Sequence, residues 1–106
     1  MKQLKFAEPL SQLVLNGQKH TTWRINDEKK ITVGDKLSLC HIDGREFAKA
    51  KVIQVKEITF EKLTEEDKKD HERFLSDEKM YQTYSRYYNI KVTSKTELKV
   101  IKFKLI

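Results

Sequence analysis

The sequence predicts an α+β fold, a small mixed β-barrel with a helix after the first strand and a helical insertion before the last strands. Three observations carry this expectation. The elements run strand, helix, several strands, helical insertion, strand. The strands are few and the insertions long, without the regular strand–helix alternation that a parallel α/β sheet needs. Apolar residues make up 38% of the chain and charged residues 36%. That is polar for a globular protein, but the apolar positions are patterned, so the chain does not read as disordered. Its 106 residues suit one domain over residues 1–106, enough for a single compact core and too few for two.

Each element has a local reason. "MKQLKF" opens the chain as a short strand. Pro9 suits the first turn of a helix, and Leu10, Leu13 and Val14 follow at helical spacing. Gly17 is placed to end that helix in a left-handed conformation. "TTWRI" is β-branched and aromatic and reads as a strand, and "NDEKK" as a polar loop. "VGDKLSLCHI" reads as a turn and then a strand with Leu37 and Leu39 on one face. Asp43–Gly44 is a hairpin signal. "REFAKAKVIQVKEITF" resumes as a long strand whose alternation slips near Val52–Ile53, which predicts a bulge or bend. Leu63–Thr64 opens the helical insertion, with Thr64 and Asp67 as a loose capping box. Ser76 starts a further helix, and Met80, Tyr81, Tyr84, Tyr87 and Tyr88 give it an aromatic face. "ELKVIKFKLI" is the last strand, Ile101, Phe103 and Leu105 alternating with Lys102 and Lys104.

The net charge is +6 and the isoelectric point about 9.4. Two readings of that charge stand side by side: a polyanionic partner such as RNA, or a lysine-rich solvated surface. The only arginines are Arg24, Arg45, Arg73 and Arg86. The lysine majority suits a general field better than bidentate readout. A single cysteine, Cys40, excludes an intrachain disulfide. With no signal peptide and no long apolar run, the expectation is a cytoplasmic protein without a membrane partner. Metal binding is not expected. His20, His41 and His71 are scattered, and Cys40 and His41 point to opposite faces of their strand. Cys40 lies in an apolar run and reads as a structural thiol. No Gly-rich phosphate loop is present and no cofactor is expected.

The stretch "LNGQKHTTWRIND" raises the functional question. It crowds hydrogen-bond donors into the turn after a helix. On a strand, Thr22 and Arg24 share one face, while Thr21, Trp23 and Ile25 share the other. Trp23 and Ile25 are expected in the core. Thr22 and Arg24 then face a more polar space, and Lys19 leans over it. A purely structural explanation is that Lys19 and Arg24 neutralise the carbonyls at the helix C-terminus, worth about 0.3–1 kcal/mol. It leaves the shared face of Thr22 and Arg24 unexplained. The tyrosine stripe reads as core in preference to an RNA platform.

"NGQKHTTWRI" resembles the signature of the ASCH domain, a small PUA-like β-barrel with the pattern G-x-K-x-x-T-x-R after its first helix. Gly17, Lys19, Thr22 and Arg24 all match. The resemblance continues through Gly34–Asp35 in "VGDKLSL", through "HERFLSDEKM" after the helical insertion, and into the closing "KVIKFKLI". One position departs: Arg73 stands where the family has glycine after the glutamate matched by Glu72. If that glycine holds a positive φ, arginine strains or changes the turn.

The resemblance implies a cleft between barrel and helical insertion, lined by Lys19, Thr22, Arg24 and Glu72. ASCH domains have been proposed to bind RNA, so the implied partner is RNA or a nucleoside or nucleotide ligand. A short single-domain branch of similar size acts as an amidohydrolase on N4-acetylcytidine, and Lys19, Thr22 and Glu72 match its catalytic set. The chemistry is coherent. A threonine hydroxyl becomes a nucleophile when a base removes its proton. Lysine is that base when neutral, which burial or a nearby cation such as Arg24 favours. Glu72 then shuttles the proton to the leaving amine. A carboxylate close to Lys19 has the opposite effect, holding it charged and making the pair a binding device. Two functions therefore follow, an RNA- or nucleotide-binding module with a basic cleft, or the hydrolase.

Overall fold

The computed structural model describes residues 1–68 and 74–106. Its elements are β1 (Lys2–Phe6), α1 (Leu10–Leu15), β2 (Thr21–Arg24), β3 (Lys36–His41), β4 (Glu46–Thr59), a 3-10 turn at Phe60–Lys62, α2 (Glu65–Lys68), α3 (Asp77–Tyr88) and β5 (Glu97–Leu105). Among the described residues the strands form one five-stranded sheet in the order β1-β3-β4-β5-β2. β1 runs parallel to β3 and every other pair is antiparallel. The sheet curls into a half-barrel, the α+β architecture expected from the element order and the PUA-like fold that the resemblance implies.

The local signals are realised as physical contacts. Gly17 adopts φ +83° just past α1, a conformation that an L side chain resists. Thr64 and Asp67 form the capping box reciprocally: Thr64 N–H donates to Asp67 Oδ2 at 2.9 Å, and Asp67 N–H to Thr64 Oγ1 at 3.2 Å. Ser76 Oγ caps α3 by accepting from Lys79 N–H at 3.2 Å. The β4–β5 ladder shifts register between Val52 and Gln54, so Ile53 is the bulged residue that breaks the alternation. Two expectations are corrected in detail. Pro9 sits at the N-cap position, one residue ahead of the helix. Leu105 is 39% exposed, because it lies at the end of β5, beyond the apolar side chains that would cover it.

Two hydrophobic clusters lie on opposite faces of the sheet. Leu4, Phe6, Leu37, Leu39, Ile101 and Phe103 fill the barrel with Val14 of α1. Trp23, Val100 and Leu98 pack under Met80 and Tyr84 of α3. Neighbouring residues of β2 and β5 therefore serve different cores: Thr22 pairs with Ile101, and Trp23 with Val100. Asp67, on α2, is buried and ties this second layer to the sheet. Its carboxylate accepts from Lys56 of β4 at 2.7 Å, and its carbonyl accepts from Trp23 Nε1 at 3.4 Å.

The half-barrel leaves β1 and β2 as edges, whose outward carbonyls need partners. Cationic side chains supply them on β1 and tie that strand to β2 and the loop after it. Arg24 Nη2 donates to Lys5 O at 3.3 Å, Lys29 Nζ donates to Gln3 O, and Lys2 Nζ donates to Lys30 O at 2.8 Å. The loop after β2 is held down by Asp27. Its Oδ2 accepts from Lys99 Nζ at 2.9 Å and from Ile31 N–H at 2.7 Å, and its Oδ1 accepts from Lys29 N–H at 3.2 Å. Burial alone pushes the Asp27 carboxyl pKa up, but these bonds, led by Lys99, outweigh it and hold the pKa below its ordinary value.

Asp27→Ala is expected to cost about 1.5–3 kcal/mol at neutral pH, the range for hydrogen bonds to a charged group. The folded pKa is depressed, so this contribution is complete above the unfolded value of about 3.9 and is lost as pH falls through the lower folded value. Urea unfolding of both proteins at pH 7 and under acid conditions checks it. The gap in stability should narrow in acid.

Candidate functional site

The site begins at the turn after α1. Gln18 and Lys19 both donate their backbone N–H to Leu13 O, at 2.9 and 3.0 Å. This wraps the chain back over the helix end and drops Lys19 inside, where it is 3% exposed. Its ammonium donates to Thr21 O at 2.8 Å and lies 5.9 Å from the centroid of the Phe6 ring. The Arg24 guanidinium lies 5.2 Å from the same centroid and donates from Nε to Thr22 Oγ1 at 3.3 Å. Phe6 is thus an apolar floor carrying two cations, and its ring face is electrostatically suited to both.

Around this floor is a cleft of about 350 Å³. Lys19, Thr22 and Arg24 form its polar side, with Lys5 at the end of β1. Tyr84, Tyr87 and Tyr88 of α3 form the opposite wall, and Leu10 and Ile42 complete it. The cleft therefore sits at the unclosed seam of the half-barrel, between β1, β2, α1 and α3.

Strand alternation places Thr22 and Arg24 on one face and Trp23 and Ile25 in the second hydrophobic cluster. Trp23 nonetheless contributes part of the cleft wall, because it stacks on Tyr84 at 5.9 Å and that tyrosine borders the cleft. Glu72 and Arg73 lie outside the described residues. The Lys19 and Arg24 side chains bond to Thr21 O, Thr22 Oγ1 and Lys5 O.

The tyrosine stripe divides. Tyr84 is buried at 4% exposure, whereas Tyr87 is 60% exposed, so the stripe is core on one side and cleft wall on the other. The sequence reading missed this, along with Phe6, Lys5 and Ile42. The i, i+3, i+4 spacing of Tyr84, Tyr87 and Tyr88 is that of an ordinary core-facing stripe, so it carried no signal of the division. Nothing local marks Phe6 or Ile42, which reach the cleft only through the curl of the sheet. Cys40 is fully buried, with Sγ 3.4 Å from Ser38 Oγ, as a structural thiol. Among the described residues no group of His, Cys, Asp and Glu is placed to hold a metal ion. No described helix is long and apolar enough to cross a membrane.

Comparison with protein families gives one result that covers the whole chain. A family model of the ASCH domain matches residues 1–106. The chain belongs to the ASCH domain family. No curated protein matches its sequence. Among solved structures, this ASCH domain is similar to an ASCH domain from Lactobacillus crispatus, with a TM-score of 0.69 and 15% identity over 90% of this chain and 69% of the other. It is similar to protein EF3133 from Enterococcus faecalis, with a TM-score of 0.74 and 18% identity over 92% and 66% of the two chains. It also matches the hypothetical protein PH0355 from end to end, with a TM-score of 0.76 and 23% identity over 100% of both chains. At these identities the likeness is one of fold.

The divided stripe makes a direct prediction for this ASCH domain. Tyr84→Ala should cost about 3–5 kcal/mol, as for other large aromatic residues removed from a core. Tyr87 is exposed and makes an edge contact with Tyr84 at 5.6 Å, a contact worth about 0.5–1.5 kcal/mol, so Tyr87→Ala should cost less than Tyr84→Ala. Thermal and denaturant unfolding of the two variants measures the difference.

Proposed function

We propose that this ASCH domain binds RNA or a nucleotide, one base entering the cleft and the phosphates meeting the basic surface. The observation that carries the reading is the convergence, at one cleft, of exposed aromatic rings with hydroxyl and cationic donors. A cleft of about 350 Å³ has the size of small-ligand sites. It admits a single unstacked base and excludes a duplex, which is how proteins commonly read RNA. In this reading Tyr87 and Tyr88 stack on the base. Lys19, Thr22 and Arg24 donate to its carbonyl oxygen or to a phosphate. Lys19 and Arg24 are already held over Phe6, so little side-chain freedom is lost on binding. The reading includes a single domain over residues 1–106 and a cytoplasmic location, the latter supported by a single buried cysteine, Cys40.

A second reading is favoured by one observation: Lys19 and Thr22 are both buried, at 3% and 4% exposure, against the same cleft. Desolvation of that kind suits a hydroxyl nucleophile beside a lysine base. An N4-acetylcytidine amidohydrolase would use Thr22 Oγ to attack the acyl carbon while Lys19 takes the hydroxyl proton. Glu72 would pass a proton to the departing amino group of cytidine, and water would then release acetate from the threonine ester. Glu72, the third member of this set, is outside the described residues.

Titration with cytidine monophosphate and with a short single-stranded RNA tests the binding reading. Tyr87→Ala should weaken base binding by about 1–3 kcal/mol, the usual value of one stacked base. Affinity for RNA should fall steeply as salt rises, because lysine contacts release counterions. Binding that does not respond to salt would reduce the +6 charge to a solvated surface. Incubation with N4-acetylcytidine separates the two readings. Thr22→Val should weaken binding by roughly tenfold at most, the loss of one neutral hydrogen bond, but should abolish turnover if Thr22 is the nucleophile. If wild-type protein at high concentration releases no acetate, the hydrolase reading is excluded. If turnover survives Thr22→Val, Thr22 is not the nucleophile.

A further inference from the structure

The sheet carries a second feature that neither the cleft nor the core uses. Lys36 of β3 pairs directly with Lys51 of β4, and Lys51 pairs directly with Lys104 of β5. Their neighbours Leu37, Ala50, Val52 and Phe103 fill the barrel, so by alternation the three lysines stand on its outer face. All three are exposed. Among the described residues none of them takes part in an ion pair. Adjacent strands lie about 4.7–4.9 Å apart, and like charges placed directly opposite one another destabilise a sheet.

Other cations of this chain have structural work. Lys2, Lys29 and Arg24 satisfy carbonyls at the seam, Lys99 holds Asp27, and Lys56 holds Asp67. The Lys36–Lys51–Lys104 row costs stability and contributes no contact of this kind. Lys49, opposite Ser38, is exposed on the same face. So is Lys5, opposite Cys40, which also borders the cleft. Two acids lie near this face: Glu66, 3.8 Å from Lys102, and Glu46, which accepts from Ser38 Oγ at 2.6 Å and is outnumbered by the lysines around it.

We propose that the Lys36–Lys51–Lys104 row docks the phosphate backbone of a single-stranded RNA, with Lys49 and Lys5 leading from the row to the mouth of the cleft. The proposal rests on the nucleic-acid reading above and identifies the surface that would supply its salt-dependent part. Charge complementarity selects a polyanion. Continuity with the cleft selects RNA, because a base entering the cleft leaves its backbone at Lys5. From Lys36 to Cys40, the partner of Lys5, is four strand steps, roughly 13 Å at about 3.3 Å per residue. A short stretch of one strand spans both. An unstacked single strand is required, since a paired base does not reach a cleft.

The test is a salt titration of an unstructured single-stranded RNA oligomer against three proteins. These are the wild type, the variant Lys36→Gln/Lys51→Gln/Lys104→Gln, and a control with equal charge loss, Lys62→Gln/Lys79→Gln/Lys91→Gln. Three lost phosphate contacts at about 0.7 each should lower the slope of log K against log salt by about 2, and affinity by roughly a hundredfold near 0.1 M salt. The control should keep the wild-type slope. Cytidine monophosphate binding should be unchanged in both variants, and the row variant should melt no lower than wild type, since it relieves repulsion. An unchanged slope in the row variant, or equal losses in row variant and control, overturns the proposal while leaving the cleft reading intact. Absence of wild-type binding to both cytidine monophosphate and RNA overturns both. Wild-type binding to vesicles of phosphatidylserine and phosphatidylcholine, lost in the row variant and without RNA binding, assigns the face to a membrane surface and also overturns the proposal.

Discussion

The open seam between β1 and β2 is the constraint on which the rest of this molecule depends. A closed barrel would pair the outer carbonyls of these strands with backbone N–H groups. Here the sheet stops at five strands among the described residues, and Arg24, Lys29 and Lys2 take those carbonyls or the adjoining loop instead. Side chains hold the two edges together at a distance, where a ladder would draw them into contact. The cleft lies in this seam where Arg24 reaches across it. Arg24 and Lys19, which line it, each satisfy a backbone carbonyl, as edge and buried carbonyls require. A consequence follows for the net charge. Part of the excess of lysine and arginine belongs to the architecture of the seam, and only the remainder is available to a partner.

The fold was legible in the sequence where the governing signal was local. Gly17, the Asp43–Gly44 turn, the Thr64–Asp67 box and the Ser76 cap are all fixed by residues within a few positions of one another. Each appears where its chemistry requires it. The slip at Val52–Ile53 was legible for a related reason. A strand with period two cannot keep both sides of a bulge in phase, so a break in the alternation marks the bulge itself. What was not legible is what the curl of the sheet brings together. Phe6 lies in a strand that reads as an ordinary core strand, and only the closure of the half-barrel sets its ring beneath Lys19 and Arg24.

The candidate site divides in the same way. Thr22 and Arg24 share a face because alternate residues of a strand must, and the sequence alone requires it. The inward course of Lys19 depends on the double use of Leu13 O by two successive N–H groups, a turn geometry that Gly17 permits but does not dictate. The tyrosines show a further limit. Helical spacing says that Tyr84, Tyr87 and Tyr88 share a side of α3, but it does not say where the sheet ends beneath them. Tyr84 lies over Trp23 and Phe60 and is buried. Tyr87 is one turn further on, is exposed and borders the cleft.

The division of labour between the two sheet faces explains how a domain of this size holds a core and a polar cleft together. Residues 22 and 101 serve the barrel side, and residues 23 and 100 serve the layer under α3. One short strand, β2, therefore supplies a core tryptophan and a cleft threonine and arginine at successive positions. The two faces still meet at one place, because Trp23 and Tyr84 of the helical layer also border the cleft. Fold alone does not fix function. The strand geometry that sets Thr22 beside Arg24 presents the same donors whatever the cleft holds.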